Sequence, residues 1–289
     1  MKVSIITIVY NNCSCIVDCL HSVQNQTYKN IEHIVIDGGS TDGTQQQIEA
    51  HCRCVSYYKS ERDAGLYDAL NKGILHATGD IVGVMHSDDL FYEPNTVQKI
   101  VDAFEKSNAD IVYANGLYVD RNNPHKITRV YAAKPFRSRY LSYGWVPLHT
   151  TMYARRELFL KYGMYETQFD IAGDYEITLR WLTNKDIKTC YLNSNVVKMR
   201  MGGKSTSVNL QKKKSGEDLV IINKYKLNGF FTLAFKIGRK IPQYLVPRIL
   251  NNSEEHLQTI MFYPRGKFYQ LRDRFHAFRT GENKKMIDN

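Results

Sequence analysis

Long apolar segments are missing from this sequence, which argues against two classes of protein. In the basic last third, the longest uncharged run extends from Leu227 to Phe235, far short of the roughly 20 apolar residues that cross a bilayer. The chain enters a β-branched pattern at once, from Val3 to Val9, without a charged leader and an apolar segment before it. We therefore expect no transmembrane helix, no secretion and a cytoplasmic location.

The fingerprints of two nucleotide-binding classes are also absent. The residues after the first apolar run are Tyr10-Asn11-Asn12-Cys13-Ser14, with neither glycine nor lysine among them. A dinucleotide-dependent dehydrogenase needs G-x-G-x-x-G at this point, and a sugar nucleotidyltransferase needs a glycine-rich loop with a basic residue to hold a triphosphate. The sequence argues against both activities.

Cysteine spacing typical of structural zinc is missing as well. The sequence has six cysteines, which include Cys-x-Cys pairs at positions 13 and 15 and at positions 52 and 54, with His21 and His51 nearby. Structural zinc usually takes cysteines two to four residues apart. Two interpretations stay open: a zinc site, or reduced and partly buried thiols. Reduced thiols are the expected state in a cytosolic chain.

Positive charge is concentrated at the end of the chain. Residues 1–197 contain 20 Lys and Arg against 22 Asp and Glu, whereas residues 198–289 contain 19 against 7. Between Leu219 and Leu250 these cations alternate with aromatic and aliphatic side chains, a pattern typical of a helix on acidic lipid headgroups. A helical subdomain that packs on the rest of the protein explains the pattern equally well. We predict a domain over residues 1–207 and a basic helical region over residues 208–289.

The hydrophobic content of 43% supports a substantial core, and the first half of the chain alternates between short apolar runs and helical periodicity. Such alternation predicts right-handed crossovers and a mostly parallel sheet. A hairpin around the turn Arg121-Asn122-Asn123-Pro124 makes the sheet mixed. The predicted strands are 3–10, 31–36, 55–58, 80–85, 110–114, 188–192 and 196–201, and the predicted helices are 16–24, 43–52, 65–76, 95–107, 155–162 and 173–184.

Acidic residues follow two of these strands directly. Asp37 opens the loop of residues 37–44, and Asp88 and Asp89 follow the strand 80–85. Ligands bind at the carboxyl ends of strands in open α/β sheets, but carboxylates repel phosphates. A divalent cation that bridges carboxylate and diphosphate explains the pattern. A tight turn and a helix cap are the simpler alternatives.

Three further polar residues are candidates for the site. Asp63 lies at a loop-to-helix transition, where it can reach a base or phosphate or only cap the helix. Asp174 begins an amphipathic helix, and a carboxylate beside apolar surface can have a raised pKa and act as a general base, although an N-cap is the common role. His149 can face a diphosphate or an acceptor, or can be purely structural.

Taken together, the motifs resemble the family 2 glycosyltransferases of the GT-A fold, particularly bacterial enzymes of surface polysaccharide synthesis. The resemblance covers about residues 2–207 and implies a Rossmann-like mixed central sheet flanked by helices. Its elements are the segments 5–11 and 37–44, the Asp63-x-Gly65-x-Tyr67-Asp68-Ala69-x-Asn71-Lys72-Gly73 motif, Ser87-Asp88-Asp89 as a form of the DxD motif, Gly173-Asp174-Tyr175-Glu176, and Gly202-Gly203 followed by Ser205.

The resemblance also implies a role for each matching residue. Tyr10 and Asp37 hold the base, Asp63 contributes on the nucleotide side, Asp88 approaches the ribose, and Asp89 binds Mn²⁺ or Mg²⁺. Thr7 belongs to the donor site, His149 and Ser205 face the acceptor or the diphosphate, and Asp174 is the catalytic base.

The implied reaction is an inverting transfer of a hexosyl unit from a nucleotide diphosphate sugar, with a UDP-sugar favoured. The implied acceptor is a glycan hydroxyl on a polyprenyl diphosphate carrier, which gives the basic region a purpose at the inner face of the cytoplasmic membrane. No nucleic acid is expected as a partner. The alternative is a non-catalytic carbohydrate- or nucleic-acid-binding module on the same fold, for which the carboxylates are dispensable.

Overall fold

The computed structural model describes residues 1–51, 53, 55–202 and 208–249. Within these residues, one sheet is flanked by helices. Its strands are β1 (Val3–Val9), β2 (Ile31–Asp37), β3 (Tyr57–Ser60), β4 (Ile81–His86), β5 (Leu90–Phe91), β6 (Ile111–Val119), β7 (Ile127–Tyr131), β8 (Met152–Arg155) and β9 (Thr189–Arg200). The helices are α1 (Ile16–Gln24), α2 (Thr44–His51), α3 (Leu66–His76), α4 (Thr96–Ser107), α5 (Arg139–Ser142), α6 (Arg156–Tyr162), α7 (Gly173–Leu182), α8 (Val208–Lys224), α9 (Gly229–Gly238) and α10 (Lys240–Ile249).

The strand order is β3-β2-β1-β4-β8-β6-β9-β5, and β7 pairs with β6. β1 is parallel to β2 and β4, whereas β8 is antiparallel to both of its neighbours. All seven residues of β1 are buried, as expected for a β-branched strand covered on both faces. The carboxyl ends of β1 and β4 consequently lie side by side, which brings Tyr10 close to the segment of residues 87–89.

The predicted mixed sheet and the hairpin are confirmed, but several boundaries differ. The third strand begins at Tyr57 rather than at residue 55. The two strands predicted over residues 188–201 form one strand, β9, because irregular register opposite Asn115 accommodates the polar segment of residues 193–195. β8 was not predicted, because its four residues are too few to show periodicity.

The basic helices α8 to α10 pack on the rest of the protein. Ile221 and Ile222 of α8 and Leu233 of α9 join the same buried cluster as Tyr175 and Trp181. Helix α10 lies against β7, where Arg129 Nε donates to Gln243 Oε1 at 2.8 Å. Within the described residues, none of the helices is both long and apolar enough to cross a membrane. The domain boundary after residue 207 stays a prediction.

Candidate active site

A cavity of about 880 Å³ opens at the carboxyl ends of β1 and β4 and extends to α7 and the basic helices. Six of the nine predicted site residues line it. They are Tyr10, Asp63, Asp88, Asp89, His149 and Asp174. Residues that are distant in sequence therefore meet on one surface, as the parallel crossovers of the fold require.

The neighbouring residues Asp88 and Asp89 both line this cavity. The Asp89 side chain is buried, and its Oδ2 has no hydrogen-bond partner within the described residues. Burial, reinforced by the charge of Asp88, raises the pKa of Asp89 well above its ordinary value. Burial also raises the pKa of Asp88, while Arg121 and Arg200 act in the opposite direction. The pair thus lacks sufficient positive charge from the protein itself.

These carboxylates fit a divalent cation. An unpartnered buried carboxylate oxygen beside a second carboxylate is a favourable position for Mg²⁺ or Mn²⁺, and such ions bind through one or two protein carboxylates together with substrate phosphates. In the described part of the chain, no group of three or more His, Cys, Asp or Glu side chains is placed to hold a metal. Phosphate oxygens and water would therefore have to complete the coordination of the ion.

Two arginines that the sequence did not single out lie beside the acidic pair. Arg121 Nη1 is 3.5 Å from Asp88 Oδ2, and Arg121 Nη2 donates to Asn12 Oδ1 at 3.1 Å. Arg200 is buried and pairs with Asp18 at 2.6 Å, but its Nε and Nη1 have no partner within the described residues. Arg121 and Arg200 both line the cavity. Arg121 falls in a turn and Arg200 at a strand end, so the sequence offered little signal for either.

Asp174 lies in the first turn of α7. Its Oδ1 is 3.3 Å from the Tyr67 hydroxyl, and Tyr67 in turn donates to the carbonyl of Ile171 at 2.8 Å. The Asp174 amide donates back to the Tyr67 oxygen at 3.1 Å. Tyr67 therefore fixes the helix start and the carboxylate together, which explains the tyrosine in the motif that begins at Asp63.

The pKa of Asp174 is lowered, contrary to the expectation of a raised value. Burial alone would raise it, but the charges of Lys214, His149 and Lys236 hold the pKa of this carboxyl below its ordinary range. The expectation was wrong because the residues that supply two of these charges lie in helices far along the chain. Asp174 is consequently ionised at neutral pH, the protonation state that a general base requires.

His149 connects Asp174 to the strand that precedes the acidic pair. His149 Nδ1 is 3.2 Å from Asp174 Oδ2, and His149 Nε2 is 2.9 Å from His86 Nε2. Burial, followed by the charge of His149, lowers the pKa of His86 to about 3, so His86 is neutral. The His86 carbonyl accepts the amide of Asp89 at 2.9 Å. This chain of contacts positions the candidate base relative to the candidate metal ligand.

The far end of the cavity has an aromatic ring beside a carboxylate. The Tyr10 side chain is 50% exposed and lines the opening. Asp63 Oδ1 accepts the amide of Gly65 at 3.0 Å, whereas Oδ2 has no donor within the described residues. Asp63 leans over Gly38, where a β-carbon would lie 3.2 Å from Asp63 Cγ and 3.4 Å from Tyr10 Cδ2. The missing side chain at position 38 leaves the space that Asp63 occupies.

Asp37 does not line the cavity, so the prediction that it contacts the base needs correction. Its carboxylate is buried and accepts bonds from the amides of Gly39 and Ser40 and from the Ser60 hydroxyl at 2.6 Å. The Ser40 hydroxyl is a further donor. All of these bonds hold the loop of residues 37–44 and the end of β3, so the role of Asp37 is to shape the loop.

Thr7 is likewise absent from the site. It lies in the middle of β1, and its buried hydroxyl pairs with His33 Nε2 at 2.9 Å. Because side chains alternate along a strand, Thr7 points away from the face that carries Ile6 and Ile8. Ser205 lies outside the described residues. The described cysteines, at positions 13, 15, 19 and 190, are free thiols, and Cys52 and Cys54 of the zinc interpretation also lie outside these residues.

Comparisons with known proteins agree with this geometry. An uncharacterized glycosyltransferase of Mycobacterium tuberculosis is 37% identical over 180 residues, which cover 62% of this chain and 68% of that protein. A PGL/p-HBAD biosynthesis glycosyltransferase of Mycobacterium bovis is 27% identical over 211 residues, which cover 71% of this chain and 79% of that protein.

Solved structures show the same fold. TarS of S. aureus in complex with UDP-GlcNAc superposes with a TM-score of 0.62 at 18% identity, covering 82% of this chain and 69% of that chain. The mannosyltransferase PcManGT from Pyrobaculum calidifontis, in complex with GDP-Man and Mn²⁺, gives a TM-score of 0.59 at 18% identity. The match covers 96% of this chain and 80% of that chain. The sheet and its flanking helices are those of the GT-A fold.

The sequence model described as glycosyl transferase family 2 matches residues 4–163. This segment contains β1 to β4 and the Asp88-Asp89 pair, and it covers more than half of the chain. The protein belongs to glycosyl transferase family 2 and is a glycosyltransferase.

Proposed function

We propose that the enzyme transfers a hexosyl unit from a UDP-sugar to a hydroxyl of a lipid-linked glycan, with Mn²⁺ or Mg²⁺ and with inversion at the anomeric carbon. One observation carries the proposal. A single cavity joins the Tyr10–Asp63 end, the Asp88-Asp89 pair and Asp174. These three groups match the base, the diphosphate and the attacking hydroxyl of such a reaction.

The Tyr10–Asp63 end suits a uracil base. The tyrosine ring offers a stacking surface, and the unpartnered Oδ2 of Asp63 can accept the imide N–H of uracil. Guanine also presents an N–H donor, whereas the corresponding nitrogen of adenine is an acceptor. We favour UDP because TarS, with the same fold, holds UDP-GlcNAc.

The diphosphate belongs beside Asp88 and Asp89 in this proposal. Asp89 would bind the metal ion, and Asp88 would approach the ribose. A bound divalent cation would neutralise charge on the departing nucleoside diphosphate. The unpartnered nitrogens of Arg200 and the nearby Arg121 would stabilise the same leaving group through charge-assisted hydrogen bonds.

Asp174 would remove the proton from the acceptor hydroxyl as the hydroxyl attacks the anomeric carbon. Tyr67 and His149 hold its two oxygens from either side, so the carboxylate is preorganised. Direct attack by an activated hydroxyl inverts the configuration. Proton NMR of the product from an α-linked UDP-sugar should therefore show a β-linkage, and an α-linked product would disprove the inverting step.

Helix α9 supports an acceptor held at a membrane. It exposes Phe230 (71%), Phe231 (70%) and Phe235 (51%) in a region of high positive charge, as an interfacial helix does. Sedimentation with vesicles should show binding to phosphatidylglycerol but not to phosphatidylcholine. We expect F230A/F231A to lose this binding, and unchanged binding would remove the support for a membrane partner.

The decisive test is calorimetric binding of UDP, GDP and ADP, each with and without Mn²⁺. We expect UDP to bind most tightly and only with the metal. Preference for GDP would overturn the donor assignment. Failure of all three nucleotides to bind would overturn the proposed function.

A further inference from the structure

The cavity has a second charged surface, which faces Asp174 from the basic helices. It consists of Arg129 on β7, Lys214 on α8, Lys236 on α9, Arg239 directly after α9, and Lys240 at the start of α10. We call these five residues the basic wall. All of them line the same cavity as the acidic pair. Lys214, Lys236, Arg239 and Lys240 were predicted only as part of the basic region of residues 208–289, and Arg129 was not singled out.

The basic wall is poorly neutralised by the protein. Lys236 pairs with the buried Asp218 at 2.6 Å and stacks on the Tyr175 ring. In the described part of the chain, Lys214 and Lys240 form no ion pair. Burial, followed by the charges of Lys214 and Arg129, lowers the pKa of Lys240. The five cations thus outnumber the two carboxylates that act on them, Asp218 and Asp174.

The two arginines of the basic wall are held by neutral groups. Arg129 donates to Gln243 and stacks on the Tyr118 ring at 4.4 Å. Arg239 Nη1 is 3.3 Å from the Tyr131 hydroxyl, and its buried Nε has no partner within the described residues. Such contacts fix the orientation of the guanidinium groups but leave their charge uncompensated, which favours an external anion.

Two members of the basic wall, Lys214 and Lys236, act on a different carboxylate from the arginines beside the acidic pair. The cations that act on Asp88 and Asp89 are Arg121 and Arg200. The cations that act on Asp174 are Lys214 and Lys236. Lys214 and Lys236 of the basic wall therefore lie on the side of the candidate base, where the acceptor enters in the proposed reaction.

We propose that the acceptor carries a phosphate or diphosphate group, which the basic wall binds while the acceptor hydroxyl reaches Asp174. The inference rests on the proposed function and adds a binding site for one chemical class of acceptor. A single carboxylate, such as that of a uronic acid, would leave most of the charge of these five residues uncompensated. A diphosphate supplies several charges and several acceptor oxygens to a planar guanidinium and to lysines.

The test uses enzyme saturated with UDP and Mn²⁺, so that the donor site is filled. Farnesyl diphosphate and inorganic pyrophosphate are titrated separately by calorimetry. We expect wild type to bind and K214M and K240M each to bind roughly tenfold more weakly, because each removes one charged contact. K212M is the matched control, since Lys212 is exposed on the same helix and does not line the cavity.

The results separate the possible sources of the phosphate. Tighter binding of farnesyl diphosphate than of pyrophosphate supports a lipid carrier, and equal binding supports a soluble phosphorylated acceptor. The proposal is overturned if neither probe binds, or if K214M and K240M weaken UDP binding as much as probe binding. If UDP itself fails to bind, the proposed function fails, and titration of the probes without nucleotide still decides the role of the basic wall.

Discussion

A methyl group at position 38 should disable the base-binding end of the site without unfolding the protein. Gly38 has no left-handed backbone angle, so alanine fits the main chain. Its β-carbon would lie 3.2 Å from Asp63 Cγ and closer still to Oδ2, so the carboxylate must swing away. A displacement of about 1 Å breaks a hydrogen bond, and a bond to a charged group contributes about 1.5–3 kcal/mol. We expect G38A to weaken UDP binding roughly 10- to 150-fold.

Calorimetry of UDP with Mn²⁺ measures the effect, and a double-mutant cycle identifies its cause. In D63A there is no carboxylate to displace, so adding G38A should change the affinity little. G216A is the matched control, because a β-carbon there meets no atom within 4 Å. The reasoning is refuted if G38A binds UDP like wild type, or if G38A weakens binding equally in the D63A background.

Four other predictions concern catalysis, metal and stability. D174N should lower kcat by about 10²–10⁴-fold with unchanged UDP affinity, and steady-state kinetics that show a change in KM alone would contradict the role of a base. D89N should abolish the Mn²⁺-dependent binding of UDP, and Mn²⁺-dependent binding that persists in calorimetry would place the ion elsewhere. D218N should lower the free energy of unfolding by about 3–5 kcal/mol, because it leaves the buried Lys236 without its partner; urea denaturation that shows a loss below about 1 kcal/mol would contradict this. Burial lowers the pKa of Lys236 from 10.5 to about 8. Between these two pH values the unfolded chain binds more protons than the folded chain, so the contribution of Lys236 to the free energy of unfolding should rise with pH. Denaturation between pH 7.5 and 9.5 should show this rise in wild type but not in K236M, and parallel profiles would refute it.

Asp37 and Asp63 differ in a way that their sequence motifs do not show. Both are acidic residues near strand ends, and the sequence assigned both to the nucleotide. The structure buries Asp37 under the bonds of its own loop and leaves one oxygen of Asp63 open beside Tyr10. The difference depends on the space above Gly38, which arises only when β2 and the loop after β3 come together.

The same holds for the charges around Asp174. The position of this residue at the start of α7 was predictable from its pattern, but the direction of its pKa shift was not. Burial and positive charge act in opposite directions on a carboxylate. Lys214 and Lys236 decide the outcome, and they reach Asp174 only because α8 and α9 fold back on the sheet.

The sequence by itself determined the alternation of strands and helices, the order of the motifs and the acidic residues at the ends of β2 and β4. These features follow from local periodicity and from the rule that parallel strands end at one edge. Only the tertiary structure decided which carboxylates face the cavity and which accept hydrogen bonds from their own loops. It also brings basic side chains more than thirty residues beyond α7 close to the candidate base. Contacts of this kind depend on how distant segments pack, so the pattern within one segment does not predict them.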